Sequence, residues 1–465
     1  MNMINVRRLA AMTFLGAGML SDISAQDFSL QADTLNEARL PAQWDLQSCI
    51  DYALEQNITI RKNRVTAEST QIDVKTAKAA LFPSLSFSTS QQVVNRPYQE
   101  TSSRVSGSEI ISSNSKTSYN GNYGLNASWT IYNGSKRLKT LKQERLNNQV
   151  AELDVATSEN MIKESIAQIY IQILYAAESV RVNENTLQVS IAQRDRGQEL
   201  LNAGSIAKSD FAQLEAQVST DHYQLVTAQA TLQDYKLQLK QLLELDGENE
   251  MNVYLPKLSD ENVLAPLPAK KDVYVSALAI RPEIEASKLN VEASELGIDI
   301  AKSSYFPTIS LSAGIGTNHT SGSDFTFGEQ VKNGWNNSIG LSVSVPIFNN
   351  RQTKSAVQKA KLQRETDMLS LLDEQKALYK TIESLWLDAN SAQQRYAAAN
   401  EKLRSTQISY DLISEQFNLG MKNTVELLTE KNNLLQAQQE QLQAKYMAIL
   451  NTQLLKFYQG DKLTL

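Results

Sequence analysis

The sequence predicts a mixed membrane chain built of two internal repeats, each joining a pair of membrane-type β-strands to a very long α-helical hairpin. Three observations carry that prediction. The hydrophobic period switches from helical to alternating and back, twice, at matched places along the chain. Two helical runs, 135–201 and 352–419, contain no proline. The stretch 200–229, LLNAGSIAKSDFAQLEAQVSTDHYQLVTAQ, has a partner at 416–438, QFNLGMKNTVELLTEKNNLLQAQ, which sets Gly204 on Gly420, Asp210 on Glu426 and Phe211 on Leu427.

Residues 1–25 read as an export signal: Arg7 and Arg8, the apolar run Leu9 to Leu20, and Ile23-Ser24-Ala25 before Gln26. That run is too short to span a bilayer as a helix, and no later stretch is apolar enough to do so. Its removal takes away Arg7, Arg8 and Asp22 and moves the net charge from -6 to -7. Cys49 follows Leu46-Gln47-Ser48, which is no lipobox, so no lipid anchor is expected there.

The first repeat covers 26–245 and the second 272–459, with a linker at 246–271 and a tail at 460–465. After a polar arm, 26–43, helical period runs from Trp44 to Leu81 with a break near Asn57. Its counterpart is Asp272 to Tyr305, where Arg281-Pro282 falls on Asn57-Ile58. The linker holds three of the nine prolines and returns the chain to the start of the second repeat.

After Phe82-Pro83, Leu85, Phe87 and Thr89 alternate with serines; after Phe306-Pro307, Ile309, Leu311, Ala313 and Ile315 alternate with Ser310, Ser312, Gly314 and Gly316. Second strands follow at Tyr123 to Ile131 and Trp335 to Val345. An apolar face opposite a face of Ser, Gly and Asn suits a strand between lipid and a confined lumen. A soluble two-sheet domain shares the alternation, but its polar face calls for Lys and Glu. Phe82, Trp129, Tyr132, Phe306, Trp335 and Phe348 stand at strand ends, where an interfacial girdle belongs. The Ser- and Asn-rich loops near 96–117 and 318–334 are expected on the far, cell-surface side.

Each long helix, at about 1.5 Å per residue, reaches on the order of 100 Å. Leu378, Ile382, Leu385, Ala389, Ala392, Tyr396 and Ala399 step by four and three, as do Phe211, Leu214, Val218, Asp221 and Leu225. Leu428, Leu435, Leu442 and Ile449 keep a strict heptad. This spacing predicts knobs-into-holes packing. Gly204 and Gly420 mark turns that need a left-handed residue. Ser209 and Thr424 are expected to cap the helices that follow, with Asp210 and Glu426 in the positive end of the dipole.

Two histidines (His222 in a heptad helix, His319 in a surface loop) and one cysteine supply no metal site or nucleophile–base pair, so no enzyme, metal or cofactor is expected. Cys49 reads as a small buried residue and Trp386 as packing. Without a basic block, nucleic acid is excluded as a partner.

The order helix, strand, strand, long helix, glycine turn, return helix, duplicated behind an export signal, resembles the TolC family of outer-membrane efflux channels. The resemblance runs from Trp44 to Gly460. Its marks are Phe82-Pro83 and Phe306-Pro307, Tyr132-Asn133-Gly134 and Phe348-Asn349-Asn350, the two glycine turns, and Ser209 to Gln217 with Val425 to Leu428. It implies a homotrimer with one twelve-stranded barrel continued by an antiparallel coiled-coil tunnel through the periplasm. Four strands cannot close a barrel alone, and open edges are forbidden in lipid. It also implies passive conduction of substrates delivered by an inner-membrane pump through a periplasmic adaptor, for efflux or type I secretion. The family's entrance acid falls on Glu426, with Asp210 and Glu430 beside it; a second family acid is absent, Thr429 standing in its place. The tips Gly204, Ser205, Lys208 and Gly420, Met421, Lys422 would dock the adaptor. The belt around the tunnel is expected to be small, drawing on 26–43, the linker and the tail. The alternative, an exported periplasmic coiled-coil protein with a structural or adaptor role, accounts for the helices and the export signal but leaves the four strands unexplained.

Overall fold

The computed structural model describes residues 41–98, 102–106, 109–113, 116–246, 251–256, 263–321, 323 and 325–464. The export signal, the arm as far as residue 40 and parts of the 96–117 loop and the linker lie outside the described residues. Of the described residues, one small unit contains 41–44 and 252–254. In it Trp44 pairs in parallel with Val253, through Trp44 N–H to the Asn252 carbonyl and Tyr254 N–H to the Trp44 carbonyl, both 2.8 Å. The remainder forms the second unit.

In that unit each break in helical period is a backbone event. Helix α1 (Leu46–Gln56) ends at Asn57, whose extended ψ of 126° turns the chain, and whose side chain caps α2 (Ile58–Ala79) by accepting from Thr59 N–H at 2.9 Å. In the second repeat α5 (Lys270–Ile280) ends at Arg281 with ψ 125°, and Pro282 opens α6 (Pro282–Ser303), where its missing donor costs nothing. Arg281 is buried: its guanidinium bonds Glu164 at 2.8 Å and lies 3.6 Å over the Tyr458 ring.

Strands β1 (Ser84–Asn95), β4 (Thr117–Asn133), β5 (Thr308–Thr320) and β6 (Asn336–Ser344) form one antiparallel sheet in the order β1-β4-β5-β6. The register keeps the faces apart. Leu85, Ala127, Ala313 and Ile339 pair across one face, and Ser86, Asn126, Gly314 and Ser338 across the other. Two elements arise where loops are predicted: a hairpin of β2 (Ser102–Ser106) and β3 (Glu109–Ser113), and a short helix α7 (Phe327–Asn333). Thr326 and Glu329 form a reciprocal capping box at the start of α7, a local signal that a reading of Ser and Gly content overlooks.

Four long helices complete the unit: α3 (Lys136–Asn202), α4 (Lys208–Leu242), α8 (Gln352–Asn418) and α9 (Thr424–Gln459). Helix α4 packs along α3 and α9 along α8, while α6 touches both α3 and α8. The heptad stripe of α8 is the buried one, through Leu378, Ile382, Ala389, Ala392, Tyr396 and Ala399. A core of Val273, Ala277, Ile284, Leu378, Ile382, Ala389, Leu455 and Tyr458 joins α5, α6, α8 and α9.

The C-terminal part of the linker is stitched to α8. Gln393 donates to the carbonyls of Val263 and Ala265 at 2.9 and 2.8 Å, and the Trp386 indole donates to that of Pro268 at 3.0 Å. Lys270 sits 4.7 Å over the Trp386 ring. Trp386→Phe keeps most of the packing but loses the hydrogen bond, and is expected to cost about 1 kcal/mol in thermal unfolding.

Candidate functional site: hairpin tips and sheet faces

The two tips are built alike. At the first, Ser205 N–H donates to the Leu200 carbonyl at 2.8 Å and Gly204 N–H to that of Leu201 at 2.9 Å. At the second, Met421 N–H donates to Gln416 at 2.8 Å and Gly420 N–H to Phe417 at 2.9 Å. Each is a Schellman closure, which satisfies the last helical carbonyls and requires a left-handed residue. Gly204 has φ +72° and Gly420 φ +74°, and nothing crowds either position, so glycine is needed for its dihedral and not for space. Leu419 and Met421 stand exposed on the second tip, each 70% accessible.

The expected caps are corrected by one or two residues. Helix α4 starts at Lys208 with Ala207 as its cap residue, so Ser209 lies inside the helix. Only the Asp210 half of a capping box forms, its carboxylate accepting from Ala207 N–H at 3.3 Å. At α9 the cap is Asn423 and Thr424 is the first helical residue. Asn423 Oδ1 accepts from Glu426 N–H at 2.9 Å, and the Glu426 carboxylate accepts from Asn423 N–H at 3.2 Å and from Lys422 Nζ at 2.6 Å. Glu430 accepts from Ser409 at 3.0 Å. Within this chain Asp210 and Glu426 each serve their own helix terminus.

Lys422 and the Asn423 N–H hold the Glu426 carboxyl below its ordinary value of 4.5. A depressed carboxylate stabilises the folded state above the unfolded value, and that stabilisation is lost as pH falls through the folded one. Amide exchange at Val425–Leu427, taken relative to the intrinsic rate at each pH, is therefore expected to quicken as pH drops below about 4.5. In Glu426→Gln it should be fast from the outset and lack that acid step.

Among the described residues, the sheet presents an apolar face that stays exposed over much of its area: Leu85 is 69% exposed, Phe87 68%, Ile339 83% and Leu341 64%. The opposite face is a polar ladder in which Asn126 donates to Ser88 and Asn122 to Ser90, both at 3.3 Å. Phe82, Trp129, Tyr132, Phe306 and Phe348 lie at or near the strand ends that meet helices, and Trp335 at the opposite end beside α7. The Trp129 indole donates to the Leu81 carbonyl at 2.9 Å. His319 is not in a loop: it sits in β5, its ring centroid 5.1 Å from Tyr119, 5.8 Å from Tyr123 and 5.0 Å from Phe327.

A polar cluster unforeseen from sequence ties the two hairpins. Lys431 of α9 and Asp221 of α4 form an ion pair with 3% and 1% of their side chains exposed. Ser190 of α3 bonds both, and Gln217 donates to Asp221 at 2.9 Å. The signal was present, since Asp221 occupies an apolar heptad place and Lys431 continues the buried series Thr424, Leu427, Lys431, Leu434.

The model of the family described as outer membrane efflux protein matches residues 49–244 and 273–460, one segment for each repeat. The chain belongs to the outer membrane efflux protein family. Among relatives of this efflux family, the outer membrane efflux protein BepC of Brucella suis is 25% identical over 294 residues, covering 63% of this chain and 61% of that protein. The outer membrane protein TolC of Escherichia coli is 24% identical over 341 residues, covering 70% of this chain and 66% of that one. The chain thus spans less than two thirds of the length of either relative. The crystal structure of CusC shares the fold, with a TM-score of 0.77 and 18% identity over 90% of this chain and 93% of the other. Membership of the efflux family places the chain in the outer membrane of a Gram-negative bacterium.

Proposed function

We propose that the protein is the outer-membrane channel of a tripartite efflux or type I secretion assembly, a passive conduit for substrates passed on by an inner-membrane pump through a periplasmic adaptor. The observation that carries this reading is the four-stranded sheet with a largely exposed apolar face, a Ser/Asn/Gly face and two edge strands, β1 and β6, each paired on one side only among the described residues. Unpaired backbone is not tolerated in hydrocarbon. Three chains placing β6 beside a neighbour's β1 close a twelve-stranded barrel, lipid outside and polar ladder inside. The helical hairpins then line a periplasmic tunnel, and the Phe82, Trp129, Tyr132, Phe306 and Phe348 end of the barrel lies at the inner interface.

At the tunnel mouth, Glu426 is assigned to the entrance lining with Asp210 and Glu430 nearby, and Gly204, Ser205, Lys208, Gly420, Met421 and Lys422 to adaptor docking. The Lys422–Glu426 pair supports a mouth of modest net charge. The expected result is a heat-modifiable trimer in detergent extracts of the outer membrane that gives discrete conductance steps in planar lipid bilayers. A soluble periplasmic species, or a monomer in lipid, overturns the reading in favour of a coiled-coil structural or adaptor role.

A further inference from the structure

The helix α7 rests on the apolar face of the sheet. Along β5 that face is Ile309, Leu311, Ala313 and Ile315, with no register shift against β6, and then Thr317 and His319, paired with Tyr123 and Gly121 of β4. Helix α7 covers its far end: Thr317 Oγ1 donates to the Val331 carbonyl at 2.7 Å, Thr320 N–H donates to Gln330 Oε1 at 2.8 Å, and the Phe327 ring meets His319 edge-on. Chemistry changes at this level. Below it the face is apolar, with Phe87, Leu125 and Ile315 in one row and Leu85, Ala127, Ala313 and Ile339 in the next. At it stand His319, Tyr119 and Tyr123, with Tyr119 Oη donating to Gln91 Oε1 at 2.5 Å and His319 seated over Gly121, where a Cβ would come within 2.1 Å of the imidazole. Phe325, Phe327 and Trp335 remain about half exposed around it, at 54%, 49% and 57%.

A helix carrying Glu329, Gln330, Lys332 and Asn333 cannot lie in hydrocarbon, yet it lies on the face that the channel reading turns to lipid. We infer that α7, with Tyr119, Tyr123 and His319 beneath it, is a collar seated at the headgroup–acyl boundary of the outer leaflet, with Phe325, Phe327 and Trp335 in contact with lipid. The inference rests on the channel reading, and distance supports it. From Ile309 to His319 is ten residues, roughly 34 Å along the strand and about 26 Å along the membrane normal at a tilt near 40°, close to the roughly 25 Å apolar band of an outer-membrane barrel. Phe306 and Tyr132 close that band at its helix-side end, and the collar closes it at the other. Aromatic side chains with a polar edge favour such a boundary.

The test is depth measurement by spin labelling. Single cysteines Ala313→Cys, Phe327→Cys and Lys332→Cys are placed in a Cys49→Ala background, and heat-modifiable oligomers are reconstituted into vesicles of phosphatidylethanolamine and phosphatidylglycerol. Collision with oxygen reports hydrocarbon, and collision with a nickel chelate reports water. The expected order is oxygen-dominated at 313, intermediate at 327 and nickel-dominated at 332, with the nickel-to-oxygen ratio rising several-fold at each step. A 327 label as nickel-accessible as 332 makes α7 an ordinary water-exposed loop and overturns the collar. A 327 label shielded from both reagents places another protein surface there and equally overturns it. If 313 is itself nickel-dominated, the membrane-strand reading falls first, and the two failures are told apart.

Discussion

Replacing Lys431 with methionine is expected to lower stability by about 3–5 kcal/mol, because it leaves the Asp221 carboxylate buried with no countercharge. Asp221 keeps only neutral partners, Ser190 and Gln217, in a site where its side chain is 1% exposed. The loss exceeds what the pair contributes, since its attraction is largely spent on desolvating both ions. The double variant Lys431→Met/Asp221→Leu is therefore expected to recover most of it, as an apolar layer of similar volume replaces the charges. Thermal unfolding midpoints in detergent for the two singles and the double give the coupling energy. A single-variant loss below about 1 kcal/mol would put this pair in the class of exposed bridges and contradict its burial.

The recovered double variant would show what the charges are for. Lys431 lies about 16 Å along α9 from Gly420, and Ser190 about 21 Å along α3 from Gly204, at the usual helical rise. A charge confined to one partner in an otherwise apolar seam specifies register, because sliding one helix by a turn would bury both ions unpaired. The cluster thereby fixes the register of the two repeats near their tips, although α4 and α9 touch each other little.

What was legible in the sequence follows from how local each signal is. The strand faces were readable because alternation is a property of the strand alone, and register then set apolar on apolar, as in Trp129 opposite Leu311. The tips were readable because a left-handed turn demands glycine wherever it occurs. The caps were displaced because Ser209 and Thr424 have the right chemistry one or two residues too late, and capping depends on which residue holds extended dihedrals. The buried pair was unreadable for a different reason. Asp221 stood visibly in a core position, but its partner lies on the other repeat, and no period along one helix reports what the neighbouring helix offers. Around His319 the polar residues Asn318 and Thr320 mask the end of β5, so the pattern there reads as a loop.

The junction between sheet and long helix gives the second large effect, and the repeats differ there in an informative way. Both cross it with left-handed residues, Gly134 (φ 65°) and Ser135 (φ 63°) in the first repeat, Asn350 (φ 51°) and Arg351 (φ 67°) in the second. A Cβ on Gly134 would come within 2.7 Å of the Ser303 carbonyl and 3.0 Å of Phe306 Cβ. Neither can withdraw, since Ser303 donates back to the Gly134 carbonyl at 2.9 Å and Phe306 is held between the end of α6 and the start of β5 at Thr308. Gly134→Ala is thus expected to cost about 1–2 kcal/mol for the dihedral and about 1–3 kcal/mol for overpacking. Asn350→Gly, relieved of the same dihedral strain, is expected to be neutral or mildly stabilising. The measurement is the temperature at which heat-modifiable oligomers dissociate, lowered by Gly134→Ala and held or raised by Asn350→Gly. Equal losses from both would mean that the junction is limited by chain flexibility, and that the crowding against α6 and β5 carries no weight.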